Sequence, residues 1–95
     1  MNAPLKIPPH SVQSEQSVLG GLLINNSAWH EVRAQVCAED FYRKDHWALF
    51  SAIGEIIESD RPCDIVTLSE HLERTDQLQA AGGHDYIASV AENIP

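Results

Sequence analysis

Apolar residues recur along this chain mostly at spacings of three and four, the repeat of helices that each bury one face. The first such pattern opens at Ser11, whose hydroxyl suits the free N–H groups of the turn that follows. It carries Val12, Gln16, Leu19, Leu22 and Leu23 on one face, widened by Val18. Gly20 and Gly21 lie inside it at a cost of about 1 kcal/mol each against alanine. Glycines kept in such a place either admit a closely packed backbone or are simply tolerated. Asn25-Asn26 ends the helix, and Asn26 or Ser27 caps a short second one from Ala28 to Val36, with Trp29, Val32 and Val36 on one side. Residues 38–42 form a connector in which Phe41 plugs the core. The third helix is the longest, from Lys44 to Glu58, with a stripe of Trp47, Phe50, Ile53 and Ile57 flanked by Leu49 and Ile56. Asp45 near its start suits the positive end of the helix dipole.

Ser59-Asp60-Arg61-Pro62 reads as a turn, after which Asp64 caps a fourth helix bearing Ile65, Leu68 and Leu72. The crowding of β-branched residues near Ile65 and Val66 leaves a strand over 62–66 as the alternative. Beyond Arg74, Leu78 folds back onto the core. Gly82-Gly83 punctuates the chain before a last helix from His84 to Asn93, with Ile87, Val90, Ala91 and Ile94 inward. Residues 1–10 carry three of the five prolines and no periodicity, as expected of a flexible arm or of a terminus ordered by a partner. The sum is an all-α orthogonal bundle of five to six short helices, one domain over residues 11–95.

Charge narrows what such a bundle does. Fourteen Asp and Glu against six Lys and Arg give a net charge of −8. Direct nucleic-acid binding needs the opposite sign, because Lys and Arg must neutralise phosphates and release counterions. The same sign disfavours an anionic membrane surface. No apolar run is long enough to cross a bilayer, and the start lacks the basic stretch and long apolar run of a secretion signal. Cys37 and Cys63, without a C-x-x-C, read as small buried hydrophobes in a cytoplasmic protein.

The one enzyme-like motif is His30-Glu31-Val32-Arg33-Ala34. A zinc protease needs a second histidine where Ala34 stands, so that two imidazoles one turn apart grip the metal. The other histidines (His10, His46, His71 and His84) have no mutual ligand spacing and read as surface or satisfied interhelical residues. There is no G-x-x-x-x-G-K-[ST] to cradle a nucleotide and no G-x-S-x-G elbow. Glu70 beside His71, and Asp64 with Glu70, read as a solvated helix face. No catalytic, cofactor or metal residue is expected. Trp29, Phe41, Trp47 and Phe50 fall on core stripes. Tyr86 stands about 100° from Ile87 around the last helix, at the margin of its buried stripe. There its ring is half sheltered and its hydroxyl available to a partner, which makes it the candidate partner-binding residue. The alternative is that its ring packs over Leu78. From the residues alone, the reading stops at a helical interaction module.

Four blocks carry a resemblance as well. Pro8-Pro9-His10-Ser11 followed by VQSEQSVLGGLLIN resembles the opening signature of bacterial replicative DNA helicases of the DnaB family. EDFYRKDHWALFSAI (39–53), PCDIVTLSEHLERTDQL (62–78) and AGGHDYIASVAENIP (81–95) follow in the family's order and near its spacing. The resemblance implies an amino-terminal domain. The ATPase motor, with its P-loop, ATP, magnesium and DNA-binding loops, would lie in a separate carboxy-terminal domain. It also implies that copies of this domain form the collar of a hexamer built from dimers, and that primase docks there, with a helicase loader as a further partner. No catalytic residue of the family maps onto this chain, which stops before the paired helices that complete the family's collar. A stand-alone helical adaptor without a motor and a free-standing enzyme are the competing function classes.

Overall fold

A computed structural model describes residues 11–92; the Pro-rich arm over 1–10, and the end of the last helix expected at Asn93 and Ile94, lie outside them. Ser11 caps helix α1 (Val12–Ile24), its Oγ accepting from the Ser14 N–H at 3.3 Å. A 3₁₀ turn (Asn26–Ala28) leads into the short α2 (Trp29–Arg33), and a second (Ala38–Asp40) leads to Phe41. Helix α3 (Lys44–Glu58) is followed by α4 (Ile65–Arg74) and α5 (Gly83–Glu92). All secondary structure among the described residues is helical. The strand alternative over 62–66 fails because Asp64 caps α4, its carboxylate accepting from the Thr67 N–H at 2.9 Å while the Thr67 hydroxyl accepts from the Asp64 N–H at 2.9 Å.

Packing runs in a ring: α1 lies on α3 and α5, α3 on α4, and α4 on α5. Their inward faces meet in one core that includes Leu19, Leu22, Phe50, Ile53, Ile56, Leu68, Leu72, Ile87 and Val90. Phe41 plugs it as expected, 5.1 Å from Phe50 between ring centroids, and Phe50 in turn lies 5.0 Å from Trp29. Gly54 on α3 is required here, since a Cβ at that position would enter the Trp29 indole. The indole N–H donates to Glu58 Oε2 at 2.8 Å.

Three turns reverse the chain through residues in the left-handed region: Asp60 (φ 62°), Asp76 (φ 59°) and the pair Gly82 (φ 102°) and Gly83 (φ 85°). At the ends of α3 and α4 the paired Schellman bonds form: Arg61 N–H to Ile56 O with Asp60 N–H to Ile57 O, and Gln77 N–H to Leu72 O with Asp76 N–H to Glu73 O. Aspartate tolerates this conformation better than most residues with a Cβ.

Several local expectations need correction. The second helix is only five residues long, and neither Asn26 nor Ser27 caps it through a side chain. Asn26 is committed elsewhere. Its amide donates to Leu22 O at 2.8 Å and Cys63 O at 3.0 Å and accepts from the Cys63 N–H at 2.8 Å, tying the end of α1 to the start of α4. Cys63 therefore fills the core beneath α4, and Ile65 in the first turn is exposed rather than inward. Cys37 is exposed, not buried, because its backbone N–H is turned onto the Asp40 carboxylate at 2.9 Å. On α3, Trp47 and Ile57 are only partly buried, and His46 takes a place on the buried face. The last helix begins one residue earlier, at Gly83.

Candidate functional site

Among the described residues, one carboxylate and one imidazole lie wholly inside the bundle: Glu15 on α1 and His46 on α3 are 1% and 0% exposed. Both stand on the apolar stripes of their helices. Glu15 precedes Leu19 and Leu22 by four and seven residues, and His46 precedes Leu49, Phe50 and Ile53 by three, four and seven. Burial there is tolerable only if every polar atom finds a partner. Among the described residues no buried side-chain nitrogen or oxygen lacks one.

The partners form a chain of hydrogen bonds across three helices. Gln16 Nε2 donates to the Tyr86 hydroxyl at 3.1 Å. That hydroxyl lies 2.5 Å from His46 Nε2, and His46 Nδ1 lies 2.6 Å from Glu15 Oε1. The pattern is self-consistent with one tautomer: the phenol donates to Nε2, and Nδ1–H donates to the carboxylate. Glu15 Oε2 also accepts from the Tyr42 backbone N–H at 2.6 Å. This fixes the segment between Phe41, which points into the core, and Tyr42, which is exposed.

Tyr86 is partly buried, its ring stacked on His46 with centroids 5.8 Å apart and the Arg43 guanidinium 4.9 Å from its own centroid. Arg43 is held by both oxygens of Asp45. The hydroxyl that the sequence leaves available to a partner is thus engaged inside the domain, while the ring lies at the edge. Burial raises the Tyr86 phenol above its ordinary value, the Gln16 bond and Arg43 charge oppose the rise, and Asp45 and Glu15 add to it. Carboxylate, imidazole and hydroxyl are connected in the order of a hydrolase triad. The raised phenol, already hydrogen-bonded, disfavours a nucleophilic phenolate, and the three groups act as a tie between α1, α3 and α5.

The remaining histidines separate. His71, mostly buried, lies 2.8 Å from Glu55 Oε1; His30 and His84 are exposed. Glu70 and Asp64 are exposed, as read from the sequence. Among the described residues no three His, Cys, Asp or Glu side chains are placed to hold a metal, and no helix is long and apolar enough to cross a membrane.

Among the described residues, five α-helices closed around a polar tie define a small all-α domain with an acidic exterior. The chain belongs to the family of DnaB-like helicase N-terminal domains, whose model matches residues 7–95. It is 43% identical over 91 residues to the replicative DNA helicase DnaB of Buchnera aphidicola subsp. Schizaphis graminum, covering 96% of this chain and 20% of that protein. The DnaB of Treponema pallidum is 38% identical over 90 residues, with 95% and 20% covered. The crystal structure of the N-terminal domain of DnaB helicase from Mycobacterium tuberculosis superposes with a TM-score of 0.86 at 34% identity, covering 94% of this chain and 64% of that one. The chain spans about a fifth of the length of the curated relatives it matches.

Proposed function

We propose that this chain is the non-catalytic docking and assembly domain of a cytoplasmic replicative DNA helicase. It contributes to a hexameric collar with copies of itself and receives primase, with a helicase loader as a further visitor. ATP, magnesium and DNA are left to a separate motor domain. The observation that carries the reading is the whole-chain match to one fifth of replicative helicases. The surface supports it. Among the described residues twelve acids are exposed against four basic side chains, a poor match for phosphates and a good one for basic proteins.

Tyr86 is our candidate for the primase-facing surface, presenting its ring edge from a hydroxyl anchored within. Biolayer interferometry with immobilised primase from the same organism tests both statements. Micromolar or tighter binding by the 95-residue chain supports docking, and no binding at 100-fold higher concentration refutes it. Substituting Tyr86→Ala is expected to weaken binding about tenfold, or about 1.4 kcal/mol, on the folded fraction. Unchanged affinity would make the tyrosine purely structural.

A further inference from the structure

The side of α3 turned away from the Glu15–His46–Tyr86 tie carries two adjoining hollows of about 580 and 310 Å³ that share Ala38, Ser51 and Glu55 in their walls. Together they follow α3 from Lys44 to Glu58, a span of about 21 Å at 1.5 Å per residue. That is the length of a four-turn helix. The floor is apolar: Trp47, Ala48, Ala52 and Leu72 line the larger hollow. Short side chains at Ala48, Ser51 and Ala52 allow a second helix axis to approach closely.

Charge selects the occupant. The walls carry Glu39, Glu55 and Glu58 against Arg33 and Lys44. Arg33 and Glu58 pair with each other at 3.3 Å, the Lys44 ammonium lies 3.5 Å from the Trp47 ring centroid, and Glu55 lies 2.8 Å from His71 Nε2, so the walls keep a net excess of one acid. Glu39 and Glu55 are exposed. A second copy of this surface would bring acids against acids, whereas a helix with one leucine-rich face flanked by lysine or arginine would meet both the floor and the walls.

We infer that the α3 groove is a docking site for a basic amphipathic helix of a partner protein. The inference rests on the reading of this chain as a docking domain and adds where a partner binds and with what chemistry. Helix-in-groove recognition of this kind sets apolar anchors at three- and four-residue spacing into the groove and leaves charged residues at its rim.

The probe is an 18-residue synthetic peptide of leucine and lysine patterned as an amphipathic helix, titrated into the 15N-labelled 95-residue chain at physiological salt. Saturable binding is expected, with amide shifts concentrated at Ala48, Ser51, Glu55 and Gln77. Ser51→Arg fills the groove from an exposed position and is expected to weaken binding at least tenfold. Gln77→Arg on the facing wall does the same should the first variant fail to fold. Glu92→Lys, on the exposed end of α5, is expected to change affinity less than twofold, and a peptide with glutamate for lysine to bind at least tenfold more weakly. Equal loss in Ser51→Arg and Glu92→Lys would mean diffuse charge attraction and overturn the site. An equally tight glutamate peptide would overturn the partner chemistry. A dimer in sedimentation, dissolved by Ser51→Arg, would make a second copy the occupant and overturn it too. Peptide binding with no primase binding would refute the functional reading and leave the groove standing; the reverse result would refute the groove alone.

Discussion

Replacing Glu15 by alanine removes one end of the internal tie and is the sharpest perturbation the fold offers. The carboxylate accepts from His46 Nδ1 and from the Tyr42 backbone N–H, both at 2.6 Å, and from the Arg43 backbone N–H at 3.5 Å, at a site 1% exposed. Alanine strands the two closest donors away from water, at about 1–3 kcal/mol each, and leaves a void where the carboxyl stood. The expected loss is about 3–5 kcal/mol, the stranded donors and the void taken together. A domain of this size holds only about 5–10 kcal/mol in total. The variant should therefore be partly unfolded near body temperature, with a Tm lower by about 15 °C or more. Glu15→Gln keeps the shape and one acceptor oxygen but turns an amide donor toward one of these donors, so its loss is expected to be smaller, about 1–2 kcal/mol. Urea titration followed by the fluorescence of Trp29 and Trp47, at constant m-value, measures both. A loss below about 1 kcal/mol for Glu15→Ala would refute the reasoning, since the buried carboxylate would then be tolerated rather than required.

Three further outcomes follow from the geometry. Gly82→Ala forces a side chain into φ +102° and against the Tyr86 ring, so a loss of at least about 1–2 kcal/mol is expected in the same titration; a neutral result would mean the turn relaxes freely. Because burial raises the Tyr86 phenol, the unfolded chain releases that proton first as pH climbs past 10. Stability from this group is present below pH 10 and falls above it, and Tyr86→Phe should show a shallower alkaline decline in urea midpoint than the parent. Burial, with Asp64 beside it, pushes the Cys63 thiol up to about 12. Because Cys37 is exposed and Cys63 buried, a thiol reagent at neutral pH should label Cys37 in the native chain and Cys63 only after denaturation.

Much of the fold was legible because its signals are local. The limits of α3, the caps at Ser11 and Asp64 and the inward Phe41 each follow from a few neighbouring residues, and all stand in the structure. The family was legible for another reason, four blocks in register. The polar tie was missed because its members lie 31 and 40 residues apart and each alone looks like a surface residue. A signal did exist. Glu15 and His46 interrupt apolar stripes at helical spacing, and two such interruptions on adjacent helices point to one another. Asn26 was misread as a cap for a similar reason, since its partner Cys63 is 37 residues away. The exposure of Cys37 and Ile65 was hidden because local turn and cap geometry, not hydrophobicity, decides which way a helix-end residue faces. Tyr86 was placed correctly at the margin of α5, while its hydroxyl found internal partners that helical periodicity does not reveal.

The reading of this chain as a docking domain meets its most direct test in primer synthesis. The 95-residue chain, added in excess to a reaction containing the helicase and primase of the same organism on single-stranded DNA, should compete for primase. The account predicts that primer yield falls as the chain is titrated while ATP hydrolysis by the helicase stays unchanged. Primer synthesis unaffected at saturating chain would contradict it.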